Sequence, residues 1–356
     1  MSGPPPAEGR AAALGPPRAH GPPVVAVRLR SLPEDFIVDE ELGFAPDETG
    51  AHLLLRVRKR DANTAWVARQ LARAADCAPA AVGFAGMKDR RALCTQWFSV
   101  PRPRDGRTLL GLAGEGFEVL EARPHGRKLP RGALAGNRFA VRLRADGEGG
   151  EALARRLDAR LRAIAAHGVP NYFGPQRFGH GGANLAPAPA PRTRLELGLR
   201  LSAARSALFN AIAAARVREA SWERLLPGDL ANLDGRGSVF PVPQVDAALT
   251  ERAARLEVHP TGALWGCVPP ASSGVVHALE CAVAAGLPDE RALCERAALR
   301  AERRSLRLRV AELQWQPERE ALVLRFFLRR GSFATSVLRE LIEAPELTAP
   351  ESAEGA

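Results

Sequence analysis

The sequence is short of several things, and each shortage removes a class of function. Its five cysteines (Cys77, Cys94, Cys267, Cys281 and Cys294) are odd in number and never form a CxxC pair. That argues against a disulfide framework and against a structural zinc site, and it fits a reducing compartment. The histidines form no HExxH or HxxxH pattern, so a metal site has no support. No apolar run reaches membrane-spanning length and no signal-peptide pattern is present, so the expectation is a soluble, cytoplasmic chain with no membrane partner. There is no internal repeat and no block of like charge. Lysine is nearly missing: Lys59, Lys88 and Lys128 are the only lysines among 50 basic residues. With abundant Ala, Gly and Pro, the arginine excess reads as a coding bias and says little about function. The three lysines stand out against it.

What is there is a chain of 356 residues, 46% hydrophobic, with a formal net charge of +10. The length suggests one large or two ordinary domains. The charge suggests an anionic partner.

Residues 1–23 are rich in Pro and Gly without hydrophobic periodicity and read as a disordered leader. Residues 344–356 read as a flexible acidic tail. Strand patterns begin at Val24. In DFIVDEEL, Phe36 and Val38 share one face while Asp35, Ile37 and Asp39 share the other. A second strand covers His52–Arg60. A helix follows, capped by Asp61 or Asn63, with Trp66, Val67, Gln70 and Leu71 at helical spacing. TQWFSV, Glu118–Glu121 and NRFAVRLR continue the strand pattern. In the last, Phe139, Val141 and Leu143 share a face, and the direction of Asn137 is open. Residues 150–167 make an amphipathic helix with Leu153, Leu157, Leu161 and Ile164 on one stripe. The chain then turns loop-rich and helical, with a loose Pro-rich stretch at 183–193 and helices expected over 196–221 and 284–300. From Ser305, SLRLRVAELQW and ALVLRFFLRR are two strand candidates, and GSFATSVLRELI reads as a turn and a final helix. The fold class is therefore α+β. A mixed, mostly antiparallel sheet flanked by helices, from residues 24–167 plus 305–343, is interrupted by an inserted domain at 168–304.

The richest stretch for chemistry is VGFAGMKDRRALCTQWFSV. One carboxylate, Asp89, sits among Lys88, Arg90 and Arg91, a setting that favours the charged form. A solvated surface cluster is the plainer account of the same residues. Phe36 on a strand can simply be core, as Phe139 is expected to be. Asn137 after Gly136 can be a turn residue, and Phe333 after Gly331 a hydrophobic staple at a helix start. NYFGPQRFG, with Gln176 and Arg177, is either a hinge between domains or part of a nucleic-acid cleft. Lys128 and Arg131 in HGRKLPRG suit phosphate contacts. Trp265 in TGALWG is expected to pack the inserted domain.

Seven strings stand in one order: PEDFIVDE (33–40), GFAGMKDRRALCTQWFSV (83–100), HGRKLPRGALAGNRF (125–139), NYFGPQRFG (171–179), GDL with LDG (228–235), TGALWG (261–266) and GSFATSVLREL (331–341). Together they resemble the TruD family of tRNA pseudouridine synthases across about residues 27–343. Met87 stands where an aliphatic residue such as Leu is expected, a volume-neutral change. The resemblance implies a pseudouridine-synthase catalytic domain with an inserted α/β TRUD domain. It also implies isomerisation of uridine to pseudouridine in tRNA, at position 13, without metal or organic cofactor. It makes Asp89 the carboxylate at C1′, as nucleophile or base. It places Phe36, Asn137 and Phe333 in the substrate pocket. Lys88 and Arg90 become phosphate contacts or loop supports. Lys128, Gln176 and Arg177 join them as substrate-binding residues. A monomer acting on tRNA is the expected state. A non-catalytic RNA-binding module is the competing reading, but a binder of phosphates gains nothing from a carboxylate at residue 89. A nuclease would need clustered carboxylates or histidines, which the sequence lacks.

Overall fold

In a computed structural model the described residues are 6–185 and 193–344. The expected acidic tail beyond residue 344, and most of the Pro-rich 183–193 stretch, lie outside them. The chain divides into two compact units. One holds Ala26–Leu157 and Ala311–Ser332. The other holds, among the described residues, those up to Val25, Asp158–Val310 and 333–344. The division falls within the helix Gly150–His167, so the unit containing the insertion starts about ten residues earlier than the sequence pattern suggests. That unit also takes the leader and the segment from Phe333.

The first unit is built on a nine-stranded sheet. Its path runs Ala311–Pro317, Leu322–Arg329, Leu134–Leu143, Phe36–Leu42, Leu93–Pro101, His52–Arg60, Phe117–His125 and Ala113–Gly114, with Gly83–Phe84 paired to Leu93–Pro101. Every pairing is antiparallel except one: Phe36–Leu42 runs parallel to Leu93–Pro101, with Val38 opposite Cys94. This is the α+β, mostly antiparallel sheet that the sequence indicates. The helix Thr64–Ala74 covers one face, burying Val67, Ala68, Leu71 and Ala72 against Leu53, Leu55, Val57, Phe98 and Val100. Its cap is Asn63, whose Oδ1 accepts the Ala65 N–H at 2.9 Å, satisfying one of the free amides of the first turn.

In the second unit a four-stranded antiparallel sheet has the order Val239–Val242, Asp229–Leu233, Val258–Leu264, Glu302–Ser305. The Ala-rich helix Arg194–Arg218 is its central packing element, with Tyr172, Phe178, Trp265 and Leu306 in the same core.

Three expectations are corrected. The leader carries a helix, Pro6–Leu14, and Ala12 and Ala13 are buried in the second unit's core. Alanine is small enough to let two helices approach closely, and such a contact leaves no hydrophobic periodicity to read. The helix expected over 284–300 is two: Gly274–Ala285 ends at Gly286, and Pro288–Arg296 starts on a proline. Proline cannot sit inside a helix but suits its first position. The strand SLRLRVAELQW is split. Arg307–Leu308 pairs with Val169–Pro170 in one unit, and Ala311–Pro317 pairs with Leu322–Arg329 in the other.

Candidate active site

The one parallel pairing in the nine-stranded sheet organises the site. Because Phe36–Leu42 and Leu93–Pro101 run in the same direction, the segments leading into them meet at one end of the sheet. One of these segments carries Arg30; the other carries Asp89. The Arg30 guanidinium donates to Asp89 Oδ2 at 2.5 Å. The Asp89 side chain keeps 31% of its surface exposed while Arg30 keeps 14%, so the carboxylate is held from the protein side and open on the other. The same guanidinium lies 4.4 Å from the centroid of the Phe36 ring, whose edge meets Phe139 at 6.0 Å. Arg30 has φ 56°, a left-handed conformation unfavourable for a residue with a Cβ.

Two rows of side chains cross one face of the sheet beneath this end. Cross-strand register places Lys59, Cys94, Val38, Phe139 and Phe326 in one row. The adjacent row contains Val57 opposite Gln96, and Glu40 opposite Asn137. Asn137 therefore shares the face of Phe139, which settles its direction. Its Oδ1 is buried and has no hydrogen-bond partner among the described residues. A buried acceptor left unmatched costs about 1–3 kcal/mol. Such an atom is suited to a donor brought by a ligand.

Residues 85–92 form neither helix nor strand, and side chains from this face hold their backbone. Gln96 Nε2 donates to Gly86 O at 2.6 Å. The Lys88 N–H donates to Thr64 Oγ1 at 3.1 Å, and Thr64 in turn donates to Gln96 Oε1 at 3.1 Å. Lys59 Nζ donates to Asp89 O at 2.7 Å. Burial pushes the Cys94 thiol up to about 11, so it stays a thiol beside the Asp89 carbonyl. The HGRKLPRG loop closes over the GFAG segment. Leu129 N donates to Ser99 Oγ at 2.7 Å and Gly132 N to Ala85 O at 2.7 Å, and Arg131 stacks 4.0 Å from the centroid of Phe84. A Cβ on Gly83 would meet Leu129 O at 2.5 Å, so only glycine permits this approach.

The expected site residues separate into groups. Asp89 and Phe36 belong to this sheet end, with Phe36 buried at 2% exposure, while Asn137 lies on the same face as Phe139, opposite Glu40, which is four residues along the strand from Phe36. Lys88 does not present itself to solvent as a phosphate contact. Its Nζ is bonded to the Glu40 carboxylate, and the side chains are 9% and 0% exposed. Its ion pair instead ties residue 88 to the strand Phe36–Leu42. Arg90 is exposed and faces Asp61 at 3.7 Å. Lys128 is exposed, with Nζ on Ala80 O at 2.5 Å. Phe333, Gln176 and Arg177 belong to the second unit. There Phe333 caps the helix Ala334–Leu338 and is 36% exposed. Gln176 is exposed. Arg177 donates to Ser202 Oγ at 2.9 Å and lies 5.3 Å from the Phe173 centroid. Trp265 is buried in that unit's core, as expected. Sequence reasoning missed Arg30, Glu40, Lys59, Thr64 and Gln96. Lysine scarcity was a usable signal for Lys59; Arg30, one of many arginines, gave none.

Comparison with known proteins sets this geometry in a class. The family model described as tRNA pseudouridine synthase D (TruD) matches residues 20–184 and 196–341. A tRNA pseudouridine synthase D from Methylococcus capsulatus is 46% identical, covering 92% of this chain and 94% of that protein. One from Xanthomonas campestris pv. campestris is 44% identical, covering 94% and 97%. A solved structure from Methanosarcina mazei, assigned to tRNA pseudouridine synthase D, superposes with a TM-score of 0.72 over 98% of this chain and 99% of that one. At 21% identity that likeness speaks to the fold alone. The class is that of the pseudouridine synthases, which are isomerases. Within it, the chain belongs to the TruD family.

Proposed function

We propose that this protein isomerises uridine 13 of tRNA to pseudouridine, with Asp89 acting at the sugar. The observation that carries the reading is the Asp89 carboxylate, pinned by Arg30 at 2.5 Å and still open to solvent. The reaction breaks the C1′–N1 bond, turns the freed uracil, joins C5 to C1′, releases the C5 proton to water and leaves N1 protonated in its place. It is redox-neutral and needs no external energy. Asp89 attacks C1′ or removes a sugar proton; both routes need a charged carboxylate, and Arg30 supplies its counter-charge.

The uridine reaches such a group only when flipped out of the RNA stack. The buried Asn137 Oδ1 is an acceptor for the uracil N3–H. The Phe36 ring is covered by Arg30, so the base stacks on Phe36 only if the guanidinium swings aside, and otherwise lies against the guanidinium plane. Stacking is worth about 1–3 kcal/mol per base. Phe333, Gln176 and Arg177 contribute from the second unit to RNA binding, and exposed Arg90 and Lys128 contact phosphates, with the net charge of +10 favouring the polyanion. The same reading has the chain act as a monomer in the cytoplasm, without metal or organic cofactor.

The position is tested with tRNA transcripts carrying tritium at C5 of uridine. Release from a wild-type transcript, and none from one with cytidine at position 13, is the expected result. Equal release from both would overturn the assignment of position.

A further inference from the structure

Lys59 is 0% exposed. It lies near the end of the strand His52–Arg60, paired with Cys94 on one side and Phe117 on the other. Leu53, Leu55 and Val57, its neighbours on the same face, are buried apolar residues. By pattern this position calls for an aliphatic side chain. A buried ammonium is costly, by several kcal/mol after relaxation, unless it is well solvated by the protein. The sequence spends one of its three lysines here, so some gain must offset that cost.

The contacts show what the ammonium does. Nζ donates to Ala62 O at 2.9 Å and to Asp89 O at 2.7 Å. The two carbonyls come from different segments: the turn after the strand, and the irregular stretch that carries the catalytic carboxylate. The Cys94 thiol approaches the same Asp89 oxygen at 3.8 Å. An ammonium projects its donors tetrahedrally from a single atom, so one centre can serve both carbonyls. A guanidinium spreads its donors over a wide planar fork and cannot direct them tetrahedrally from a single atom. That accounts for lysine in a chain that otherwise uses arginine. The carboxylate end of Asp89 is met by Arg30 and its carbonyl end by Lys59. Its neighbour Lys88 is tied to Glu40. Held at both ends, the carboxylate has little freedom to turn.

We propose that Lys59 is a positioning residue for the isomerisation: its buried ammonium fixes the Asp89 peptide and thereby the direction of the Asp89 carboxylate. This rests on the reading of Asp89 as the group acting at the sugar. A misplacement of about 1 Å can cost about a hundredfold in rate, so the effect falls on kcat and leaves RNA binding alone.

The test uses the full-length protein and C5-tritiated tRNA transcript, with rates expressed per folded molecule. Lys59→Met is expected to lower kcat roughly ten- to a hundredfold, with KM for tRNA within about twofold. Lys59→Arg, which keeps the charge, is expected to lose a similar amount. Leu55→Ala, a truncation in the same strand and on the same face but opposite Phe98 in the apolar cluster, serves as the control for general loosening. It is expected to lower the melting temperature while keeping kcat within about twofold. If Lys59→Met keeps kcat within about threefold of wild type, the proposal is overturned. It is equally overturned if Lys59→Met and Leu55→Ala lose kcat alike, since that is what a merely structural lysine predicts. Should Lys59→Met show no cooperative melt, Lys59→Leu, which likewise carries no donor, is judged by the same criteria. An inactive wild type, or an active Asp89→Asn, would count against the function reading itself and is scored separately.

Discussion

Lys88→Met separates two roles for a residue that lies next to the reacting carboxylate. The Lys88 and Glu40 side chains are 9% and 0% exposed and ion-paired, and Glu40 Oε1 also accepts the Trp97 N–H at 3.2 Å. Removing the ammonium strands a carboxylate with no access to water. Breaking a buried pair on one side costs about 3–5 kcal/mol. For a unit of this size each kcal/mol is worth roughly 2–4 °C, so the melting temperature should fall by roughly 6–20 °C. Removing both charges, as Glu40→Leu with Lys88→Met, should recover most of that loss, because the stranded ion is gone. The assays are thermal melting by circular dichroism and tRNA binding across a salt series. If Lys88 were a phosphate contact, the outcome would invert. The melt would stay within about 2 °C of wild type, and the salt slope of binding would shrink by about 0.7–0.9. That result would refute the buried-pair argument.

Other outcomes follow from the same contacts. Arg30→Met removes a charge-assisted bond of about 1.5–3 kcal/mol and should lower kcat roughly ten- to a hundredfold, with Arg30→Lys losing less; unchanged single-turnover rates would contradict this. His259 Nδ1 accepts from Arg307 Nε at 3.0 Å, so its Nε2–H faces Asp234 Oδ1 at 3.2 Å, with Arg309 also on Asp234. Burial holds this imidazole below its usual 6.5. It therefore takes up its proton on unfolding, and stability present above about pH 6.5 is lost as pH falls below it. The melting temperature should drop between about pH 7.5 and 5.5, and His259→Gln should flatten part of the drop. Ala13 is 0% exposed in the leader helix, so Ala13→Leu should destabilise by about 1–3 kcal/mol through overpacking; an unchanged denaturant midpoint would mean that the helix is not docked.

Much of the scaffold could be read from the chain. Period-two alternation marks His52–Arg60 and Phe139–Leu143, and the leucine stripe marks the helix Gly150–His167, because one buried face leaves a regular pattern. What failed to read depends on partners distant in sequence. The run 305–315 looks like one strand, yet its halves pair in different sheets, and local alternation carries no information about partners. Asp89 stood out as one carboxylate among cations, but which cation serves it did not. Its immediate neighbours Lys88 and Arg90 turn to Glu40 and Asp61. The guanidinium on its carboxylate comes from Arg30, 59 residues away, through a parallel strand pairing that no short-range signal announces. Asn137 could be read as a turn residue until the antiparallel register placed it opposite Glu40 with a buried, unmatched oxygen.

The most direct test compares wild-type protein with Asp89→Asn on C5-tritiated tRNA, alongside binding of the same RNA. Wild type should release tritium as water with no added cofactor, while Asp89→Asn should release none and bind the RNA within a few-fold of wild type. Release by Asp89→Asn at a rate near that of wild type would contradict the central claim that this carboxylate acts at the sugar.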